Sequence, residues 1–343
     1  MRVLITGGTG FIGRPLTRKA LQRGWEVTLV VRAPDSKAAR ELADMGANLV
    51  LGDVTDRATL EAAFSVAQPE LFFHNAGWYE LGIPRRMRRR MWGVNVEGTE
   101  NALTLAAEYE VRKAVYTSST TALGDTGGEL VDESFTRRAE PLSYYEYTKR
   151  EAHALAGRHQ AAGEPVVIAC PAQAVGPGDH SAFGRLARLF VRGLLPPFVW
   201  APGSSFTFGH VDDVATALIL AGEKGKAGEL YFTAGKVLTL RKMLKVWGDA
   251  ANRKPPFIWL PKAIALAQAA LIAPLLRLAG KPAFISPEVV RSSFVSFRYS
   301  SAKAEAQLGA EFRSAEQAWS DTIEKEFSRT SSNEKLKLDA GDQ

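Results

Sequence analysis

Val3-Leu4-Ile5-Thr6-Gly7-Gly8-Thr9-Gly10-Phe11-Ile12-Gly13 runs from an apolar segment of strand length straight into a glycine-rich turn. Gly8, Gly10 and Gly13 fit G-x-G-x-x-G, and Gly7, Gly10 and Gly13 fit the related G-x-x-G-x-x-G. Glycine is required where the chain turns sharply and where backbone must approach a pyrophosphate with no Cβ in the way. The helical pattern that follows, Gly13 to Arg23, would aim its first amides and positive dipole end at the phosphates. A lone glycine fingerprint is weak, but here a strand precedes it and a helix follows, which is the confirming context. Gly7, Thr9, Gly10, Phe11, Ile12 and Gly13 are therefore candidate nucleotide contacts.

Working outward, the same alternation continues through the first half. Val3 to Ile5, Val27 to Val31, Asn48 to Leu51, Leu71 to Phe73, Ala114 to Tyr116 and Val166 to Ala169 read as six buried strands. Their continuous apolar character is what a parallel sheet covered on both faces demands. With helical stretches between them, the expected fold is α/β, a Rossmann-type doubly wound parallel sheet. After Pro171 the texture changes to Pro, Gly and aromatic clusters, with helical segments near Val211–Ala221, Leu240–Ala250 and Ala263–Leu276. The expected organisation is a cofactor domain over 1–172, rejoined by a segment around 205–222. A smaller C-terminal substrate lobe then covers 173–328, followed by a frayed polar tail over 329–343.

The chain has 343 residues, 46% hydrophobic and 23% charged, which suits a globular protein with a large core. A net charge of +6 does not by itself indicate nucleic acid, and no zinc-finger, RNP or metal-ligand spacing is present, so neither nucleic acid nor a metal is expected. The densest basic run, Arg85-Arg86-Met87-Arg88-Arg89-Arg90, reads as a solvated helix face, with an anion or membrane patch as the alternative. The single cysteine, Cys170, excludes an internal disulfide and suits a reducing compartment, so a cytoplasmic location is expected. It sits in an apolar run, where a packed thiol is the ordinary reading. With a strand beginning at Val3, no cleaved leader is expected. Ala263 to Leu276 is apolar but bounded by Lys262 and Arg277 and interrupted by Pro274, and it falls short of the ~30 Å hydrocarbon core. A buried or substrate-covering helix is expected there rather than a membrane span; membrane-surface contact is the alternative.

The end of the second strand bears on cofactor choice. NAD-selective sites place an acid there to hold the ribose 2′-hydroxyl. This strand ends Val30-Val31-Arg32, with Val31 at the acid position and Arg32 next to it. A cation attracts a 2′-phosphate, so NADP(H) is the preferred cofactor and NAD(H) the alternative. Asp53, in Gly52-Asp53-Val54, would lie beside the adenine and accept from its amino group.

Ser143-Tyr144-Tyr145-Glu146-Tyr147-Thr148-Lys149 contains a Y-x-x-x-K spacing, which puts Tyr145 and Lys149 on one helix face. A free phenol has a pKa near ~10, and a neighbouring ammonium lowers it, so Tyr145 could exchange a proton with a substrate oxygen. Ser118 and Ser119 end the fifth strand, where ligands bind in doubly wound sheets.

With these motifs in order, the chain resembles an extended short-chain dehydrogenase/reductase of the NAD-dependent epimerase/dehydratase superfamily. The motifs that carry the resemblance run from Thr6 to Gly13, then Gly52 to Val54, Phe73 to Ala76, Asn95 to Thr99, Ser118-Ser119, Tyr145 with Lys149, and His210 to Val214. The resemblance implies that Tyr145 is the acid/base, that Lys149 binds the nicotinamide ribose, that Ser119 rather than Ser118 is the catalytic serine, and that Asn95 belongs to the catalytic set. It also implies cofactor contacts at Val54, Asn75, Ala76, Gly77 and Pro171, a structural role for His210 to Val214, and a homodimer formed through the helices around Asn95 and Tyr145.

Ser119-Thr120-Thr121 stands where the sugar-nucleotide dehydratases of that superfamily carry Thr-Asp-Glu, so elimination chemistry is not expected. Cys170-Pro171 replaces the usual Arg-Pro, which weakens a nucleotide-sugar reading, although Arg291 and Arg298 are candidate diphosphate ligands or structural residues. Phe198, Trp200, Phe206, Phe208, Trp259, Phe294 and Phe297 enrich the second lobe; a pocket sharing a few of them would suit an apolar or aromatic carbonyl substrate. Lys303 to Gly309 and the helical insertion resemble the dihydroflavonol reductase and 3β-hydroxysteroid dehydrogenase branch. The expected activity is NADP(H)-dependent hydride transfer between nicotinamide and a secondary alcohol or ketone. The alternatives are a nucleotide-sugar epimerase that retains its cofactor and a non-catalytic cofactor sensor.

Overall fold

A computed structural model describes residues 1–137, 139–280 and 283–339, with side chains through residue 329. The six expected strands form, each within a residue at either end: β1 (Arg2–Thr6), β2 (Glu26–Val31), β3 (Asn48–Leu51), β4 (Leu71–His74), β5 (Lys113–Thr117) and β6 (Val166–Cys170). Between them lie α1 (Gly13–Gln22), α2 (Lys37–Asp44), α3 (Arg57–Ala67), α4 (Arg88–Trp92), α5 (Gly98–Glu108) and α6 (Tyr144–Ala161). The chain continues through β7 (Gln173–Val175), α7 (Ala182–Val191), β8 (Phe198–Trp200), β9 (Ser205–His210), α8 (Val211–Lys224), β10 (Leu230–Phe232), β11 (Lys236–Thr239), α9 (Leu240–Ala251) and β12 (Ile258–Leu260). It ends with α10 (Lys262–Leu278), α11 (Pro287–Ser293), α12 (Ala302–Leu308) and α13 (Ala315–Asp339).

Seven strands make one parallel sheet in the order β10-β6-β5-β4-β1-β2-β3. Residues along each strand alternate between two cores, as the two-residue period of a strand requires. Leu4, Phe72, Tyr116 and Ile168 face Leu60, Phe64 and Leu103 on one side. Ile5, Phe73, Val115 and Val167 face Leu16, Ala20, Val214 and Leu218 on the other. The inner strands therefore need apolar residues at successive positions, which is why continuous runs marked them; β3, expected to be buried, is instead the sheet edge, with Asn48 and Leu51 exposed.

Of residues 205–222, helix α8 packs on this sheet through Val214 and Leu218, whereas β9 pairs with β7 and β11 in a separate three-stranded sheet; β10 joins the seven-stranded sheet beside β6. Ala304 and Leu308 of α12, with Phe312, complete the same core. The second lobe has its own aromatic centre, where Trp319 lies 5.0 Å from Trp247 and 5.4 Å from Phe208, centroid to centroid. Two expectations for the C-terminal third are corrected. The polar tail is helical as far as Asp339, because Glu334-Lys335-Leu336-Lys337-Leu338 are good helix formers; residues 340–343 lie outside the described residues. The apolar segment Ala263–Leu276 does form a helix, α10, but only its small Ala265, Ala269 and Ala273 are buried, and several large side chains stay exposed. No helix among the described residues is long and apolar enough to cross a membrane.

Candidate active site

The glycine turn forms because two close approaches leave no room for side chains. Gly7 adopts φ +69°, and a Cβ there would stand 2.7 Å from the Ala76 Cα. At Gly13 a Cβ would press on the Gly7 carbonyl and lie 2.8 Å from the Gly8 Cα. The Gly10 amide donates to the Gly7 carbonyl at 3.0 Å and closes the turn. Helix α1 then begins with no side chain capping its first amides and no acid in its first turn. Such an N-terminus, behind a backbone cradle, suits an anionic pyrophosphate. Across the turn, the Asn75 amide donates to the Gly7 carbonyl at 3.3 Å, and the Ala76 N–H donates to the Thr6 hydroxyl at 3.3 Å.

This cradle is one end of a cavity of about 650 Å³ that follows the C-terminal edge of the sheet. Gly7, Thr9, Gly10, Phe11 and Ile12 line it; Gly13 lies beneath, at the helix start. Arg32, Asp53 and Val54 line one end, and Asn75, Ala76, Gly77 and Pro171 line the middle. Val31 ends β2 with its side chain buried, and Arg32 is exposed at the rim. The Asp53 carboxylate is held at the wall by the Thr55 N–H (2.9 Å) and hydroxyl (2.8 Å).

Tyr145, Lys149 and Ser119 come together along the same cavity. Ser143 caps α6 by accepting from the Glu146 N–H at 3.1 Å, and buried Glu146 accepts from Leu142 N–H and from Arg137, both at 2.8 Å. These bonds lock the first turn, which carries Tyr145, and Lys149 follows one turn later on the same face. The buried Lys149 ammonium donates to the Tyr116 hydroxyl and to the Thr117 carbonyl, each at 3.2 Å. An ammonium has three donors, so one is left for a ligand. Ser119 Oγ lies 2.7 Å from Thr121 Oγ1, whereas Ser118 Oγ lies 2.9 Å from His153 Nδ1. Both serines line the cavity, and the hydroxyl that acts on the Tyr145 phenol is that of Ser119.

The Tyr145 phenol does not follow the simple expectation of a lowered pKa. Burial raises it, and Lys149, then the Ser119 and Thr121 hydroxyls, pull in the opposite direction without cancelling the rise. Burial likewise lowers Lys149, while Tyr145 favours its charged form.

Asn95 was expected in the catalytic set, but its side chain does not line the cavity. It sits in a widened helical turn, Gly93–Glu97, where Oδ1 accepts from Trp78 N–H at 2.7 Å and Nδ2 donates to the Trp78 carbonyl (3.1 Å) and Thr148 Oγ1 (2.9 Å). With both donors used, it is a positioning residue that ties the loop after β4 to α6.

Several wall residues had not been singled out. Trp78, Tyr79, Glu80, Leu81, Arg90 and Phe284 line the substrate end, with the Tyr79 ring edge-on to Tyr145 at 4.8 Å. None of the seven second-lobe aromatics named above lines this cavity; Phe206, Phe208 and Phe297 are core residues. Arg291 and Arg298 do not line it either, and one Arg298 guanidinium nitrogen donates to the Gly128 carbonyl. Of the basic run, Arg89 pairs with Glu97 at 2.7 Å on the surface as expected, but Arg90 lies 5.5 Å from the Trp78 ring and reaches the wall. The only sequence signal was the aromatic pair directly after Asn75-Ala76-Gly77.

His74, at the end of β4, was also missed as a supporting residue. It bridges Thr6 Oγ1 at 2.9 Å and Thr99 Oγ1 at 3.1 Å and is fully buried. Burial, reinforced by Lys149, pushes its pKa down to about 3. The native state thus holds His74 neutral, while the unfolded chain protonates it near ~6.5. Its contribution is present above that pH and disappears as pH falls from there toward the depressed native value. About 2 kcal/mol of stability should be lost between pH 7.5 and 5 from this residue. The urea midpoint at both pH values checks this, and a His74→Gln protein that keeps the full pH dependence would refute it.

Comparisons with known proteins identify the family. The profile of the NAD dependent epimerase/dehydratase family matches residues 3–234. A Synechocystis sp. protein provisionally named a dihydroflavonol 4-reductase is 30% identical, over 93% of this chain and 92% of its own. A Stigmatella aurantiaca 4-hydroxy-2-methyl-3-oxo-4-farnesyl-3,4-dihydroquinoline-1-oxide ketoreductase is 32% identical, over 71% of each chain. The Thermus thermophilus UDP-glucose 4-epimerase, solved in complex with NAD, superposes with a TM-score of 0.73 at 25% identity, over 96% of this chain and 99% of that one. The chain belongs to the NAD dependent epimerase/dehydratase family, as an oxidoreductase of the extended short-chain dehydrogenase/reductase type that uses a nicotinamide cofactor.

Proposed function

We propose that the protein transfers hydride between NADP(H) and a secondary alcohol or ketone with apolar or aromatic flanks. The observation that carries this reading is the convergence of Tyr145, Lys149 and Ser119 on a cavity that also contains the glycine cradle. Bound nicotinamide supplies or accepts the hydride. Ser119 donates a hydrogen bond to the substrate oxygen and holds it toward the phenol. In the reducing direction Tyr145 delivers the proton that turns the developing alkoxide into an alcohol, so the ketone gains one hydride and one proton. Lys149 keeps a cation beside the phenol as that proton leaves and offers its remaining donor to the ribose.

The wall formed by Trp78, Tyr79, Leu81 and Phe284 has the surface for an apolar substrate, and the two relatives named as reductases support that class. Arg32 at the rim, with Val31 in place of an acid, supports NADP(H). Fluorescence titration should then give at least tenfold tighter binding of NADPH than NADH. Arg32→Ala should weaken NADPH by roughly tenfold to hundredfold, the ~1.5–3 kcal/mol of a charge-assisted hydrogen bond, and leave NADH unchanged. Equal affinities in the wild type would remove the NADP(H) assignment. NADPH consumption with aryl or terpenoid ketones tests the reaction. Interconversion of UDP-sugars without net NADPH consumption would instead establish an epimerase.

A further inference from the structure

Helix α10 leaves a ridge of large apolar side chains in the open. Its buried residues are Ala265, Ala269 and Ala273, while Ile264 is 54%, Leu271 73%, Leu275 64% and Leu278 84% exposed. At 3.6 residues per turn these four large side chains fall within about 60° of arc, one ridge along a helix about 25 Å long. Phe257 and Ile258, just before the helix, are exposed as well. A water-facing helix normally carries its charges on that side. Here the outward positions between Lys262 and Arg277 are all apolar.

Along the sequence of the ridge the charges are of one sign, and the acid that follows, Glu288, is turned inward to accept from the Gly82 N–H at 2.7 Å. Between Asp249 and Glu288 the sequence has no carboxylate and carries Arg253, Lys254, Lys262, Arg277 and Lys281. Lys262 and Arg277 stand at the two ends of the helix, both exposed; Lys262 lies 5.6 Å from the Phe294 ring, and Arg277 donates to the Gly82 carbonyl at 2.7 Å. Pairing with a second copy of α10 is disfavoured in either direction. An antiparallel pair sets Lys262 against Arg277, and a parallel pair sets each cation against itself, with no acid in the helix to compensate. An anionic lipid surface satisfies both features at once, because acyl chains take the ridge and headgroups take the cations.

We propose that α10 docks the protein on anionic membrane surfaces, lying in the interfacial plane with Ile264, Leu271, Leu275 and Leu278 turned into the lipid. Full-length protein co-sedimented with phosphatidylglycerol-containing vesicles should pellet, and should do so much less with pure phosphatidylcholine or at high salt. Leu271→Glu/Leu275→Glu should lower vesicle affinity at least about tenfold with an unchanged thermal midpoint, since both positions are exposed. Lys254→Glu/Lys262→Glu should lower it by a similar factor, which keeps the test open if the leucine variant folds poorly. Three results would overturn the proposal: no pelleting of the wild type, vesicle binding unchanged in both variants, or a leucine-dependent dimer in sedimentation equilibrium without lipid binding.

Discussion

Tyr145→Phe is expected to lower turnover by about 10²–10⁴-fold, the usual worth of a positioned general acid, with NADPH affinity unchanged within about twofold. The substitution removes one hydroxyl and keeps the ring that Tyr79 meets edge-on at 4.8 Å, so the packing of the wall survives. What disappears is the proton donor between Ser119 and Lys149. Because burial raises the Tyr145 pKa, the phenol is protonated throughout the neutral range and is an acid before it is a base. Ketone reduction should therefore hold steady through neutral pH and decline only where the phenol ionises, while alcohol oxidation should rise over the same alkaline range. Stopped-flow measurement of the hydride step under saturating NADPH separates this from product release. Full single-turnover rates in the phenylalanine variant would mean that another group moves the proton.

Much of this is legible in the amino-acid sequence itself. The sheet could be read because burial on both faces forces uninterrupted apolar runs, as in Phe72-Phe73 and Val166-Val167-Ile168. The glycine turn could be read because Gly7 and Gly13 answer steric demands that no other residue meets. The Tyr145–Lys149 pair was marked by its helical spacing together with Ser118-Ser119 at the end of the fifth strand. Strand β10 was not, since Leu230-Tyr231-Phe232 is short and its partner β6 lies far back in the sequence. The substrate wall was obscured for a related reason. Aromatic residues abound in the second lobe, and composition could not show that Phe206 and Phe208 meet Phe183 edge-on in a core while Trp78 and Tyr79 face the cavity. Asn95 was misplaced because sequence order identifies its neighbourhood but not its partners, and those partners, Trp78 and Thr148, take up its amide. For α10 the apolar count suggested burial, yet its fully buried positions are small alanines, with Leu266 half-buried beside them.

Gly13→Ala, a change of one methyl group, is expected to weaken NADPH binding by more than about 100-fold and to cost about 1–3 kcal/mol of stability. The added Cβ would press on the Gly7 carbonyl, which is backbone and cannot rotate away as a side chain would. Relief requires moving either the turn or the first residue of α1, and both shape the surface that receives the pyrophosphate. Alanine is otherwise the better helix former, so propensity alone predicts the opposite sign. Gly157→Ala supplies that contrast, because Gly157 lies inside α6 and a Cβ there meets nothing within 4 Å. It should stabilise the protein by about 0.5–1 kcal/mol and leave NADPH binding intact. Calorimetric titration and urea unfolding of the two variants read both quantities. If Gly13→Ala bound NADPH like the wild type, the close approach of α1 to the turn would not be what admits the phosphates, and the cofactor end of the cavity would have to be reassigned.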